Sequence, residues 1–134
     1  MELVRGRKIS GGRAEGPALV SRDPISFFGG VNPDSGVVTE KGHELEGKSV
    51  KDHVLVFPRG KGSTVGSYTL YRMKRNGVAP LAIINVECEP IVAVGAIISD
   101  IPAVDKLEKN PLTLFQSGRT LKVDADRALV EASD

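Results

Sequence analysis

The chain has 134 residues with 18 basic and 17 acidic side chains, a formal charge of +1, 4% aromatic residues and no tryptophan. That length suits one domain spanning 1–134, and the balanced charge gives no basic field for nucleic acid and no polybasic stretch for a membrane surface. One cysteine, Cys88, allows no internal disulfide and cannot ligate a cluster alone, while His43 and His53 lack any metal-pair spacing.

Glu2 to Ile9 alternates enough to predict a strand, Gly11-Gly12 a turn and Ala14 to Ser21 a second strand, together an N-terminal hairpin. From Asp23 to Lys48 turn formers surround short apolar pieces, and the embedded Phe27, Phe28 and Val31 argue against disorder; such a segment can line a site. His53 to Phe57 reads as a buried strand. Phe57-Pro58-Arg59-Gly60-Lys61-Gly62-Ser63 is then a basic, glycine-rich turn, and Thr64 to Asn76 a helix with Ser63 near its N-cap and Gly77 past its end.

Ala79 to Val86 is nearly continuous apolar sequence, as a strand buried on both faces requires, so strand, helix and strand predict a right-handed crossover in a parallel pair. Pro90, after an acid, opens a helix from Ile91 to Ser99, although its β-branched content also allows a strand. Ile101 to Val104 and Thr120 to Val123 read as short strands, and Asp126 to Ala132 as a tail without a clear pattern. There is no internal repeat. No run of about 18 apolar residues and no apolar leader occur, so a soluble, cytoplasmic chain with no membrane contact is expected.

The chemistry concentrates in the turn before the Thr64–Asn76 helix. Free amides at a helix start favour a phosphate, a carboxylate or a developing alkoxide. The glycines at 60, 62 and 66 do not fit the phosphate-loop or dinucleotide spacings, and G-x-S-x-G is absent, so ATP, NAD and a serine hydrolase are not implied. An anion cradle carrying a reactive Ser63 remains, beside the plainer alternative of a helix cap joined to a tight turn. The histidines read as structural.

Three stretches, Phe57 to Ser67, Ala79 to Glu87 and Pro90 to Ile98, together with Ser26-Phe27-Phe28-Gly29-Gly30-Val31-Asn32-Pro33 and Gly36, resemble the swivel domain of the aconitase X group. The resemblance spans roughly Gly6 to Asp126, and as a free-standing chain the sequence is similar to the small subunits of that group. It implies an α/β fold, a swivelling β/β/α domain that is barrel-like with flanking helices. The activity it implies is a hydro-lyase of the archaeal mevalonate pathway, dehydrating (R)-5-phosphomevalonate to trans-anhydromevalonate 5-phosphate. It further implies Ser63 as proton acceptor, with Arg59, Lys61, Gly62, Thr64, Gly30 and Asn32 toward a phosphorylated hydroxy acid. A [4Fe-4S] cluster would sit on a large subunit forming a heterodimer with this chain, and none would bind this chain alone. The same group holds hydroxyproline dehydratases, and a non-catalytic swivel module is a third reading.

Overall fold

The computed structural model describes residues 2–133. At its centre four strands run parallel: β3 (Arg13–Val20), β4 (Val54–Phe57), β5 (Ala82–Asn85) and β6 (Ala103–Asp105). β4 and β5 are buried at every position, and successive side chains enter opposite cores. Leu55, Phe57 and Ile83 pack toward the helices, whereas Val54, Val56, Ala82 and Ile84 fill the other side. The apolar runs read from sequence are thus nearly continuous because both faces are covered.

Helix α2 (Gly66–Arg75) crosses from β4 to β5 and α3 (Pro90–Ile98) from β5 to β6, each shielding the first core. α3 is the predicted helix: Pro90 occupies its first turn, and the Glu89 carboxylate accepts from the amides of Ile91 and Val92 at 2.8 and 2.9 Å. Between β3 and β4 the loop-rich segment holds a kinked turn, α1 (Phe27–Gly30), and buries Ile25, Phe27, Val31, Val38, Leu45 and Val50. Phe27 meets Phe57 edge to face at 5.9 Å, fastening this segment to β4.

The N-terminal hairpin does not form. The predicted first strand is two, β1 (Glu2–Arg5) and β2 (Arg7–Ser10), pairing with β8 (Leu129–Ala132) and β6 respectively, and β3 pairs with β7 (Thr120–Asp124) instead. The sheet order is β1-β8-β7-β3-β4-β5-β6-β2, so the two edge strands are successive in the chain and only Gly6 separates them. The sheet therefore curls into a nearly closed barrel. A Cβ at Gly6 would stand 2.5 Å from Leu107 Cδ2 and 2.6 Å from the Asp105 carbonyl, so closure demands glycine there. The unpatterned tail is β8, preceded by a 3-10 turn at Ala125–Arg127; a short helix, α4 (Pro111–Leu114), precedes β7.

Candidate active site

The glycine-rich turn leaves β4 at the carboxyl end of the parallel strands. Ile25 N–H donates to the Arg59 carbonyl at 3.2 Å and Lys61 N–H to the Ile25 carbonyl at 3.0 Å, so the segment before α1 extends the strand pattern alongside the turn. Behind the turn, a Cβ on Gly62 would lie 2.5 Å from Ser26 Oγ, and one on Gly30 would lie 3.5 Å from Ser26 Cβ and 3.4 Å from Glu40 Oε1. Glu40 Oε2 in turn accepts from Lys61 Nζ at 2.8 Å. Gly30, Lys61 and Gly62 are thus brought together through Ser26 and Glu40, two residues without any signal in local spacing.

Helix α2 begins at Gly66, two residues later than predicted, and its N-cap residue Val65 makes no side-chain cap. The amides of Gly66, Ser67 and Tyr68 are taken by the carbonyls of Ser63, Thr64 and Val65. Ser63 therefore does not cap the helix: its Oγ accepts from Val65 N–H at 3.1 Å, closing a small turn of its own. Among the described residues, the amides of Gly62, Ser63 and Thr64 have no hydrogen-bond partner. The free donors expected at the helix start sit one turn earlier, as three consecutive amides centred on Ser63 in the chain, in an exposed loop where Gly62 takes a φ of 86°. Successive unpartnered amides are donors that an anion can use.

The remaining candidates divide. Arg59 is exposed and makes no ion pair among the described residues, whereas the Lys61 ammonium is shared with Glu40, an exposed pair of small worth to stability. Thr64 is exposed beside Ser63. Asn32 lies apart, on a cleft of about 590 Å³ whose lining includes Phe28, Val65 and Tyr68 but not Ser63. Its Oδ1 is occupied by the Asp34 amide at 2.8 Å.

Neither histidine adjoins the serine by hydrogen bond. His43 is buried, with Nδ1 accepting from Leu45 N–H and Nε2 therefore donating to the Pro24 carbonyl; His53 Nδ1 meets the Lys51 carbonyl. The residues present do not fit an iron-sulfur cluster: no three of the described His, Cys, Asp or Glu side chains are placed to share a metal. Burial, helped by the Asp105 and Glu89 carboxylates, pushes the Cys88 thiol up to about 12, the reverse of what a thiolate ligand needs. No helix is long and apolar enough to cross a membrane among the described residues.

The sequence matches the aconitase X swivel domain over residues 3–132. It is 60% identical over 130 residues to the phosphomevalonate dehydratase small subunit of Methanocella arvoryzae, covering 97% of this chain and 98% of that one. The protein of that name from Methanosarcina acetivorans is 59% identical over 128 residues, covering 96% of this chain and 89% of its own. The crystal structure of Thermococcus kodakaraensis aconitase X in its holo form superposes with a TM-score of 0.95 at 51% identity, with both chains covered completely.

Proposed function

The chain belongs to the aconitase X swivel-domain family, and from that membership we propose that it is the small subunit of a dehydratase acting on (R)-5-phosphomevalonate. The relatives' names supply the substrate. The observation that carries the site is the trio of consecutive unpartnered amides at Gly62, Ser63 and Thr64, in the same exposed turn as the Ser63 hydroxyl.

In this reading Ser63 Oγ accepts the proton from the carbon alpha to the substrate carboxylate. The electron pair of the broken C–H bond becomes the new C=C bond, and the hydroxyl departs from the neighbouring carbon. A serine serves as base only if its anionic form is favoured, and hydrogen bonds to the anion do that: Val65 N–H already points at Oγ from 3.1 Å. The same free amides, with Arg59, suit the substrate's carboxylate or phosphate. Lys61, tied to Glu40, frames the turn at its other end.

Because this chain's residues do not fit a cluster, we assign the [4Fe-4S] cluster to a large subunit and the activity to the large–small pair in the cytoplasm. The test is Ser63→Ala in the reconstituted pair, assayed with phosphomevalonate and hydroxyproline in parallel. Turnover of phosphomevalonate should fall by about 100-fold or more, the usual range for a lost general base, with stability changed by less than about 1 kcal/mol. A loss below about fivefold would leave Ser63 a turn residue only. Faster turnover of hydroxyproline by the unaltered pair would move the chain to that branch.

A further inference from the structure

Asn85 is the one polar residue in β4 and β5, and it is fully buried. Its Nδ2 donates to the Phe57 carbonyl at 3.0 Å, while its Oδ1 has no hydrogen-bond partner among the described residues. An orphaned amide oxygen in an apolar core lowers stability, and an apolar side chain of similar shape would not carry that cost. Stability alone therefore does not explain an asparagine here. We infer that Asn85 is a positioning residue for the proposed proton acceptor, its side chain fixing the start of the turn that carries Ser63. The inference rests on the functional reading above and adds what holds the serine in place.

The first support is where the donor acts. Phe57 ends β4 and stands opposite Asn85 in the register, and Pro58 has no N–H with which to continue the ladder. The end of β5 takes over: beside the Asn85 side chain, Val86 N–H and Glu87 N–H both donate to the Pro58 carbonyl, at 3.1 and 3.2 Å. Two successive carbonyls at the entry to the turn are thus held by three successive residues. The second support is continuity with Ser63. The main chain of Arg59 and Lys61 is tied across to Ile25, but the amides of Gly62, Ser63 and Thr64 are spent on nothing among the described residues, so the placement of Ser63 is inherited from residues 57 to 61. Gly60 has no slack to absorb a shift on the way: a Cβ there would meet the Glu89 carboxylate and stand 2.6 Å from Val92 Cγ2.

The test reconstitutes the full chain with its large subunit and uses Asn85→Leu, near in shape, with Asn85→Val, smaller and suited to a strand, as the second variant should leucine not fit. Either should melt within about 4 °C of the unaltered chain, because the orphaned oxygen leaves together with the lost bond. At saturating large subunit kcat for phosphomevalonate should nevertheless fall at least about tenfold, the effect of a misplaced base. Val123→Ala, buried in β7 and facing the second core, should do the reverse, lowering Tm and leaving kcat within about threefold. In a Ser63→Ala background, Asn85→Leu should cost less than about twofold more, as expected of a residue that acts through the serine. Hydrogen exchange of the full chain reads the turn without turnover: Lys61 N–H, bonded to the Ile25 carbonyl at 3.0 Å, should exchange at least about fivefold faster in Asn85→Leu. A kcat within about threefold of the unaltered pair, an equal loss with and without Ser63, or unchanged Lys61 exchange would each overturn the inference. Failure of the functional reading is separable: full turnover by Ser63→Ala would remove the base, while Lys61 exchange would still report whether Asn85 holds the turn.

Discussion

Replacing Gly62 by alanine tests whether the turn is braced from behind by Ser26. Alanine at a φ of 86° meets the left-handed penalty, about 1–2 kcal/mol. Its Cβ would also stand 2.5 Å from Ser26 Oγ and 3.3 Å from Ser26 Cβ. A hydroxyl rotates away at small cost, but this one would abandon its 2.9 Å bond to the Phe28 carbonyl, losing about 1 kcal/mol. The sum is about 2–3 kcal/mol. With about 2.1 cal/mol/K of unfolding entropy per residue, it lowers Tm by about 7–11 °C for this length. Thermal and urea unfolding of Gly62→Ala, Ser26→Ala and the double variant should give a coupling energy of about −1 kcal/mol, because the Ser26 hydroxyl is already idle once a methyl group occupies position 62. In the reconstituted pair Gly62→Ala should lower turnover at least about tenfold, since the displaced amide is one of the donors proposed for the substrate's anionic group. Strictly additive stabilities would refute the bracing, and a Gly62→Ala loss under about 1 kcal/mol would refute the strain as well.

Two further outcomes test the frame around the site. Ile84→Ala, in a strand with no exposed position and between two covered faces, should cost about 2–5 kcal/mol in urea unfolding, and a cost under about 1 kcal/mol would mean that the second core is loosely filled. Cys88 should alkylate far more slowly than a free thiol at pH 8, because its thiol is held near 12 and thiolate is the reacting form; the rate should climb with pH through about pH 10 without a plateau. The sign for stability follows: burial favours the protonated thiol, so its contribution is intact below the ordinary thiol value of 9.0 and fades as pH rises toward 12. A plateau in the alkylation rate near pH 9 would contradict that environment.

What the sequence made legible is what neighbouring residues decide. β4 and β5 show as apolar runs because burial on both faces leaves Asn85 as their one polar position, and α3 shows because Glu89 and Pro90 supply cap and first turn locally. The expected hairpin fails for the same reason in reverse. Glu2 to Ile9 has strand character throughout, but its partners lie near residues 104 and 130, and Gly6 divides it so that the halves take opposite edges of the sheet. Ser63 and Thr64 favour a helix start by residue type, yet the chain closes a tighter turn first and leaves its donors unspent there. Ser26 and Glu40 belong to the site only because Ile25 pairs beside Gly60 and Glu40 reaches Lys61 across 21 residues. Phe28, grouped with Phe27 among the embedded apolar residues, is exposed at the cleft because Gly29 turns the chain with a φ of 87°.

The environment of Ser63 limits what the isolated chain can do with it. His43 has both ring nitrogens engaged elsewhere, so in the proposed reaction activation of the hydroxyl falls to backbone amides and cations. Fixed donors act most strongly where water is excluded, because the interaction between charge and dipole grows as the local dielectric falls. Here Lys61, Gly62, Ser63 and Thr64 are all solvent-exposed, so water competes for every donor the turn presents. For the proposed serine base, covering the turn is therefore a chemical requirement. In the proposed pair, a large subunit covering the turn would exclude that water, raise the worth of the Gly62, Ser63 and Thr64 amides, and bring the departing hydroxyl's acid to the same place.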